Sequence, residues 1–168
     1  MTARVLVAGI GNLFLGDDGF GPEVVRRLAA ERTLPPGVRV ADYGIRGMHL
    51  AYDLIDTYDT LVLIDALPGA GTPGEVVLLR LGHDDLDADD VAGGDLDAHA
   101  MNPAAMLASL DRLGGVLPQT YLVGCRVATV EEGIGLSPAV EAAVPAAAAA
   151  VADLVERLVT GPDPIGRT

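Results

Sequence analysis

Hydrophobic residues along this chain fall into short apolar blocks that alternate with segments of helical period. "RVLVAG" (4–9) reads as a buried strand, and "GPEVVRRLAAER" (21–32) as a helix with Phe20, Val24 and Leu28 on one face. "GVRVADYG" (37–44) predicts a second strand and "MHLAYDLID" (48–56) a short helix. "DTLVLIDAL" (59–67) predicts a third strand ending near Asp65, and "GEVVLLRL" (74–81) a fourth. "NPAAMLASLDRL" (102–113) predicts a helix capped by Asn102, and "QTYLVGCRV" (119–127) a last strand. "SPAVEAAVPAAAAAVADLVERLV" (137–159) closes the chain as a long helix headed by Ser137, with a kink or break expected at Pro145. Strands alternating with helices across short connections imply an α/β fold. The expected architecture is a twisted, mostly parallel sheet of about five strands flanked by helices on both faces. At 168 residues, with no repeat or linker, residues 1–168 form one domain in this reading.

Composition narrows the functions. The net charge is −13, and all eleven basic residues are arginine. A chain without lysine has no P-loop lysine and no Schiff-base lysine, and its acidity argues against nucleic acid. No uninterrupted apolar stretch approaches the ~18 residues of a membrane span, and the N-terminus lacks a signal-peptide pattern. A cytoplasmic protein with no membrane partner is expected. The single cysteine, Cys125, excludes an intrachain disulfide and suits a reducing compartment.

Candidate chemistry gathers after the first strand. "GIGNLF" (9–14) begins like a dinucleotide fingerprint, but Phe14 stands where the third glycine belongs. Gly16 comes two residues late and is followed by Asp17 and Asp18, whose charges would repel a phosphate. Carboxylates before a helix can simply stabilise its N-terminus. Two of them at the carboxyl edge of a parallel sheet also suit ligand binding, and Asp65 ends the third strand at that edge. In "DAHAMNP" (97–103), His99 precedes a capped helix. One imidazole and two carboxylates make a donor set for zinc, nickel or iron with open positions. The acidic segment 82–101 lacks the glycine and glutamate of an EF-hand and reads as an exposed loop.

The blocks "GIGNLFLGDDGFGPEVV", "GIRGM" (44–48), "LVLIDAL", "DAHAMNP" and "GIGLSPAVEAAV" (133–144) occur in an order and at intervals that resemble the hydrogenase maturation protease family. These endopeptidases process nickel-iron hydrogenases. The resemblance implies an enzyme that removes the C-terminal extension of a large-subunit precursor after nickel insertion, with nickel supplied by the precursor. It places nickel contact, and catalysis, on Asp18, Asp65 and His99. Asp or Glu is frequent at the second acidic position, which favours Asp18 over Asp17 as the ligand. Asp17 is left to support the site or a helix end. Gly44 and Gly47 would let backbone approach the substrate tail. A monomer is expected. The alternative is a non-catalytic assembly factor that recognises nickel with the same donors. Relatives often carry an acid and a proline soon after the glycine of the last strand, where this chain reads "GCRVATVEEG".

Overall fold

The computed structural model describes residues 4–31, 34–45, 47–55, 58–68, 71–81, 112–115 and 118–160. Five strands make one sheet: β1 (Val5–Ile10), β2 (Val38–Gly44), β3 (Thr60–Leu67), β4 (Val76–Leu81) and β5 (Gln119–Arg126). Their order is β2-β1-β3-β5-β4. All neighbours are parallel except β4, which runs antiparallel along β5. The helices are α1 (Phe20–Glu31), α2 (Gly47–Ile55) and α3 (Pro138–Thr160). The expected α/β class and two-sided layering are therefore present, and strand boundaries agree within two residues. The predicted 102–113 helix lies almost wholly outside the described residues, as does the acidic 82–101 segment.

Side-chain alternation divides the core in two. Val5 and Val7 of β1, Val62 and Ile64 of β3, and Tyr121, Val123 and Cys125 of β5 pack against α1 and α3. Leu6, Ala8 and Ile10, with Leu61, Leu63 and Leu122, turn to the opposite face, where Leu50, Ala51 and Leu54 of α2 cover them. Central strands buried on both faces must be apolar throughout, which is why β1 reads as an unbroken run. Phe20, Val24 and Leu28 are fully buried on α1, as their spacing requires. Burying side chains of this size contributes roughly 1.5–3 kcal/mol each.

Helix α3 is long and apolar enough to cross a bilayer by length and composition. Its apolar face instead lies on the sheet, with Val140, Val144, Val151, Leu154, Val155 and Leu158 buried. The break expected at Pro145 does not occur: α3 continues unbroken through that residue. Pro145 lies on the exposed face, where the Glu141 carbonyl deprived of its helical partner can turn to water.

Candidate active site

Strand order reverses between β1 and β3. From β1 the chain crosses through α1 to β2 on one side, and from β2 it returns through α2, over the other face, to β3. Such a switch point leaves an open crevice at the carboxyl ends of the strands. Residues 11–19 follow β1 into this crevice, and Asp65 enters it from β3.

Glycines allow the close approach there. A Cβ at Gly11 would lie 1.8 Å from the carbonyl oxygen of Asp18, and one at Gly21 would lie 2.3 Å from that of Ile10 and 2.4 Å from that of Ile64. The first turn of α1 thus sits directly on the ends of β1 and β3. The helix–strand contact that a dinucleotide fold would obtain from its third glycine is made here by Gly21 against Gly9, where a Cβ would meet Val25 at 2.5 Å. Phe14, at the fingerprint position, is 67% exposed. The glycine that makes this contact stands seven residues after Phe14, outside the spacing of the fingerprint.

Gly16–Gly19 form one turn of 3-10 helix holding both aspartates. With about three residues per turn, adjacent side chains diverge by roughly 120°, and the two acids meet different surroundings. Asp17 is fully buried. Its Oδ2 accepts the N–H of Ala128 at 2.8 Å, the N–H of Thr129 at 3.1 Å and the Ser137 hydroxyl at 2.8 Å, while Oδ1 accepts the N–H of Ser137 at 2.6 Å. Burial pulls its proton affinity upward, but these bonds outweigh that effect and hold it below the usual carboxylate value. Asp17 does stabilise a helix end, though of α3 rather than of α1. Backbone pairing reinforces the tie: Gly16 donates to Gly133, Gly133 to Phe14, and Asp17 to Thr129. Segment 127–137 is thereby pinned along one wall of the crevice. Ser137, expected as the cap of α3, takes that position with its carbonyl accepting the N–H of Glu141 at 2.8 Å, while its hydroxyl donates to Asp17.

Asp18 is 7% exposed and accepts the backbone N–H of Asn12 at 2.7 Å. Asn12 in turn closes the turn through its side chain, accepting from the N–H of Phe14. Asp65, half-buried, accepts the N–H of Ala66 at 2.8 Å. Burial, then the negative charge of Asp18, raises its proton affinity well above the usual carboxylate value, and the Ala66 bond offsets only part of this. Gly124, directly across from Asp65, leaves room that Leu67 fills, since a Cβ there would lie 2.4 Å from Leu67 Cδ1. Apolar packing beside the carboxyl adds to its desolvation. The structure therefore brings Asp18 and Asp65 together. His99 lies outside the described residues, and among the described residues no third histidine, cysteine or acid joins the pair as a metal-binding group.

Gly44 ends β2 at φ +57°, and its carbonyl accepts the N–H of Gly11. It lines a cavity of about 310 Å³ with Asn12, Leu13, Phe14, Asp42 and Ile45. Gly47 opens α2 at the same edge.

The model of the HycI family, hydrogenase maturation protease, matches residues 22–154. The chain belongs to the hydrogenase maturation protease family. It is 32% identical over 142 residues to the hydrogenase 2 maturation protease of Escherichia coli K12, covering 84% of each chain. To the hydrogenase expression/formation protein HupD of Rhodobacter capsulatus it is 33% identical over 138 residues, covering 82% of this chain and 64% of that one. Its fold matches the hydrogenase maturating endopeptidase HybD of E. coli with a TM-score of 0.75 at 31% identity, covering 94% of both chains. A hydrogenase 2 maturation peptidase from a Thaumarchaeota archaeon matches with a TM-score of 0.66 at 36% identity, covering 89% of this chain and 96% of that one. This protein is accordingly an endopeptidase of hydrogenase maturation.

Proposed function

We propose that this endopeptidase removes the C-terminal extension of a nickel-iron hydrogenase large-subunit precursor once nickel has been inserted. Asp18, Asp65 and His99 engage that nickel, which arrives as part of the substrate. The observation that carries this reading is the carboxylate pair at the switch point, whose mutual repulsion a divalent cation would relieve. Two carboxylates with one imidazole accommodate nickel, as they do zinc or iron. The ion would supply a Lewis acid beside the scissile amide. Of the chain's own groups, a carboxylate of the pair is the general base within reach of an attacking water. Gly44 and Gly47 give the tail's backbone close access along the crevice, next to the cavity at Gly11 and Asn12. The enzyme works as a cytoplasmic monomer in this reading.

Incubation of the purified protein with nickel-loaded precursor, followed by mass measurement, tests the proposal. A mass loss equal to a C-terminal segment is expected. Intact precursor that still binds the protein would favour an assembly factor instead.

A further inference from the structure

Arg126 ends β5 at the same sheet edge as the acid pair. Tyr121, Val123 and Cys125 face α3, so Gly124 and Arg126 turn to the other side, as Leu61, Leu63 and Asp65 do on β3. The register pairs Asp65 with Gly124 and Leu67 with Arg126. Asp65 and Arg126 are thus diagonal neighbours on one face, with Cα atoms on the order of 7–8 Å apart.

The side chain is clamped. A Cβ at Gly71 would lie 2.9 Å from Arg126 Cδ and 3.1 Å from Cγ, so the 71–74 turn rests on the stem. The Arg126 N–H donates to the Glu75 carbonyl at 2.9 Å, and its carbonyl accepts from Gly74 at 2.8 Å. Nε is buried under this turn with no hydrogen-bond partner. The Glu75 carboxylate stands 3.9 Å away on a side chain that is itself 56% exposed. Arg126 is 31% exposed, and with Nε covered its accessible donors are the two terminal nitrogens. A guanidinium ordered in this way at the edge that carries the acids, with its Nε in a long, half-exposed ion pair to Glu75, has its terminal nitrogens arranged for an incoming carboxylate. The acid pair would repel an anionic tail, and a guanidinium at this edge offsets that repulsion.

We propose that Arg126 is a specificity-determining residue that binds a carboxylate on the substrate's C-terminal extension. The inference rests on the cleavage reading above. The carboxylate belongs either to an acidic side chain of the extension or to its terminal α-carboxylate, and every such extension has the latter.

Processing kinetics on nickel-loaded precursor would be compared for wild type, Arg126→Gln and Arg126→Lys, with thermal unfolding confirming equal folding. Arg126→Gln is expected to raise KM about tenfold or more, the loss of one charged hydrogen bond, with kcat within twofold, and Lys to restore part of the loss. Precursors whose extension has its acids changed to amides, or ends in a C-terminal amide, form two further arms. The arm that raises the wild-type KM to the Arg126→Gln value, yet leaves Arg126→Gln unaffected, identifies the carboxylate. An unchanged KM in Arg126→Gln, or equal sensitivity of both enzymes to both arms, overturns the proposal. If wild type cleaves nothing, the cleavage reading fails by itself. Calorimetry with a synthetic extension peptide then decides the inference, since equal affinity for wild type and Arg126→Gln would reject it and weaker binding to the variant would uphold it.

Discussion

Asp17→Asn should destabilise this protein severely although the two side chains have nearly the same size. The single oxygen of asparagine serves best at the Oδ2 position, where it keeps Ala128, Thr129 and the Ser137 hydroxyl as donors. Its NH2 group then faces the Ser137 N–H across the present 2.6 Å contact, donor against donor. A charged hydrogen bond is worth about 1.5–3 kcal/mol and an unsatisfied buried N–H costs about 1–3 kcal/mol. These overlap, so a net loss of about 3 kcal/mol is expected, which for a domain of this size lowers Tm by roughly 6–12 °C. Asp17→Ala removes all four acceptor contacts and should cost about 4 kcal/mol or more. Urea unfolding at pH 7 followed by circular dichroism measures both, with m checked for constancy. The depressed proton affinity of Asp17 sets the sign of the pH dependence. The wild-type advantage over Asn is complete above the unfolded carboxyl value of about 3.9. It shrinks as acid carries the pH through that value toward the lower folded one. A difference below about 0.5 kcal/mol at pH 7, within the range of ordinary surface substitutions, would refute the role of Asp17 in fastening segment 127–137.

Asp18→Asn and Asp65→Asn should each abolish processing, read by precursor mass, while leaving urea stability nearly unchanged or improved, because either change removes the repulsion that raises Asp65. His99→Ala should abolish processing in the same assay. Asp18→Glu should retain activity, whereas Asp17→Glu, which forces a methylene into a fully buried set of donors, should lose about 1–3 kcal/mol in the urea assay. Pro145→Ala should raise Tm, since it restores a helical hydrogen bond at an exposed site and removes a penalty of up to about 3 kcal/mol. Cys125, fully buried and with its thiol pushed up to about 11 by burial, should resist a disulfide reagent at pH 8 in the native state and react once urea unfolds the chain.

What could be read from the sequence follows the range of the interactions involved. Strands and helices announce themselves through periods spanning a few residues, and so β1, β3 and the buried face of α1 stand where they were expected. The meeting of Asp18 and Asp65 at one edge was legible because parallel topology carries both there without knowledge of any side-chain contact. The role of Asp17 was not, because its partners Ala128, Thr129 and Ser137 lie more than a hundred residues away. One clue was present: "GLSP" opens a long helix whose first turn has only Glu141 as an acid, so its N-terminus could accept an anion from elsewhere. Arg126 carries no distinguishing signal in the sequence, since strand-end arginines are common and only the overlying Gly71 turn sets this one apart. The unbroken course of α3 depends on which face Pro145 occupies, and the sheet decides that.

Adjacent aspartates in a single turn can divide their work because a 3-10 turn rotates them to different walls. Had residues 16–19 been a strand, alternation would have sent one acid to each face of the sheet, and only one would have remained at the edge. Had they been the first turn of α1, both would have shared the dipole of that helix. In the observed turn, Asp17 fastens 127–137 and the head of α3 on one side, while Asp18, tied to Asn12, stands beside Asp65 on the other. The repulsion stored between Asp18 and Asp65 therefore does not act on the contact that holds the crevice together. Under the nickel reading proposed above, a pair kept apart from its own scaffold in this way would meet the ion without loosening the fold, and substitutions at 17 and 18 should accordingly separate into loss of stability and loss of activity.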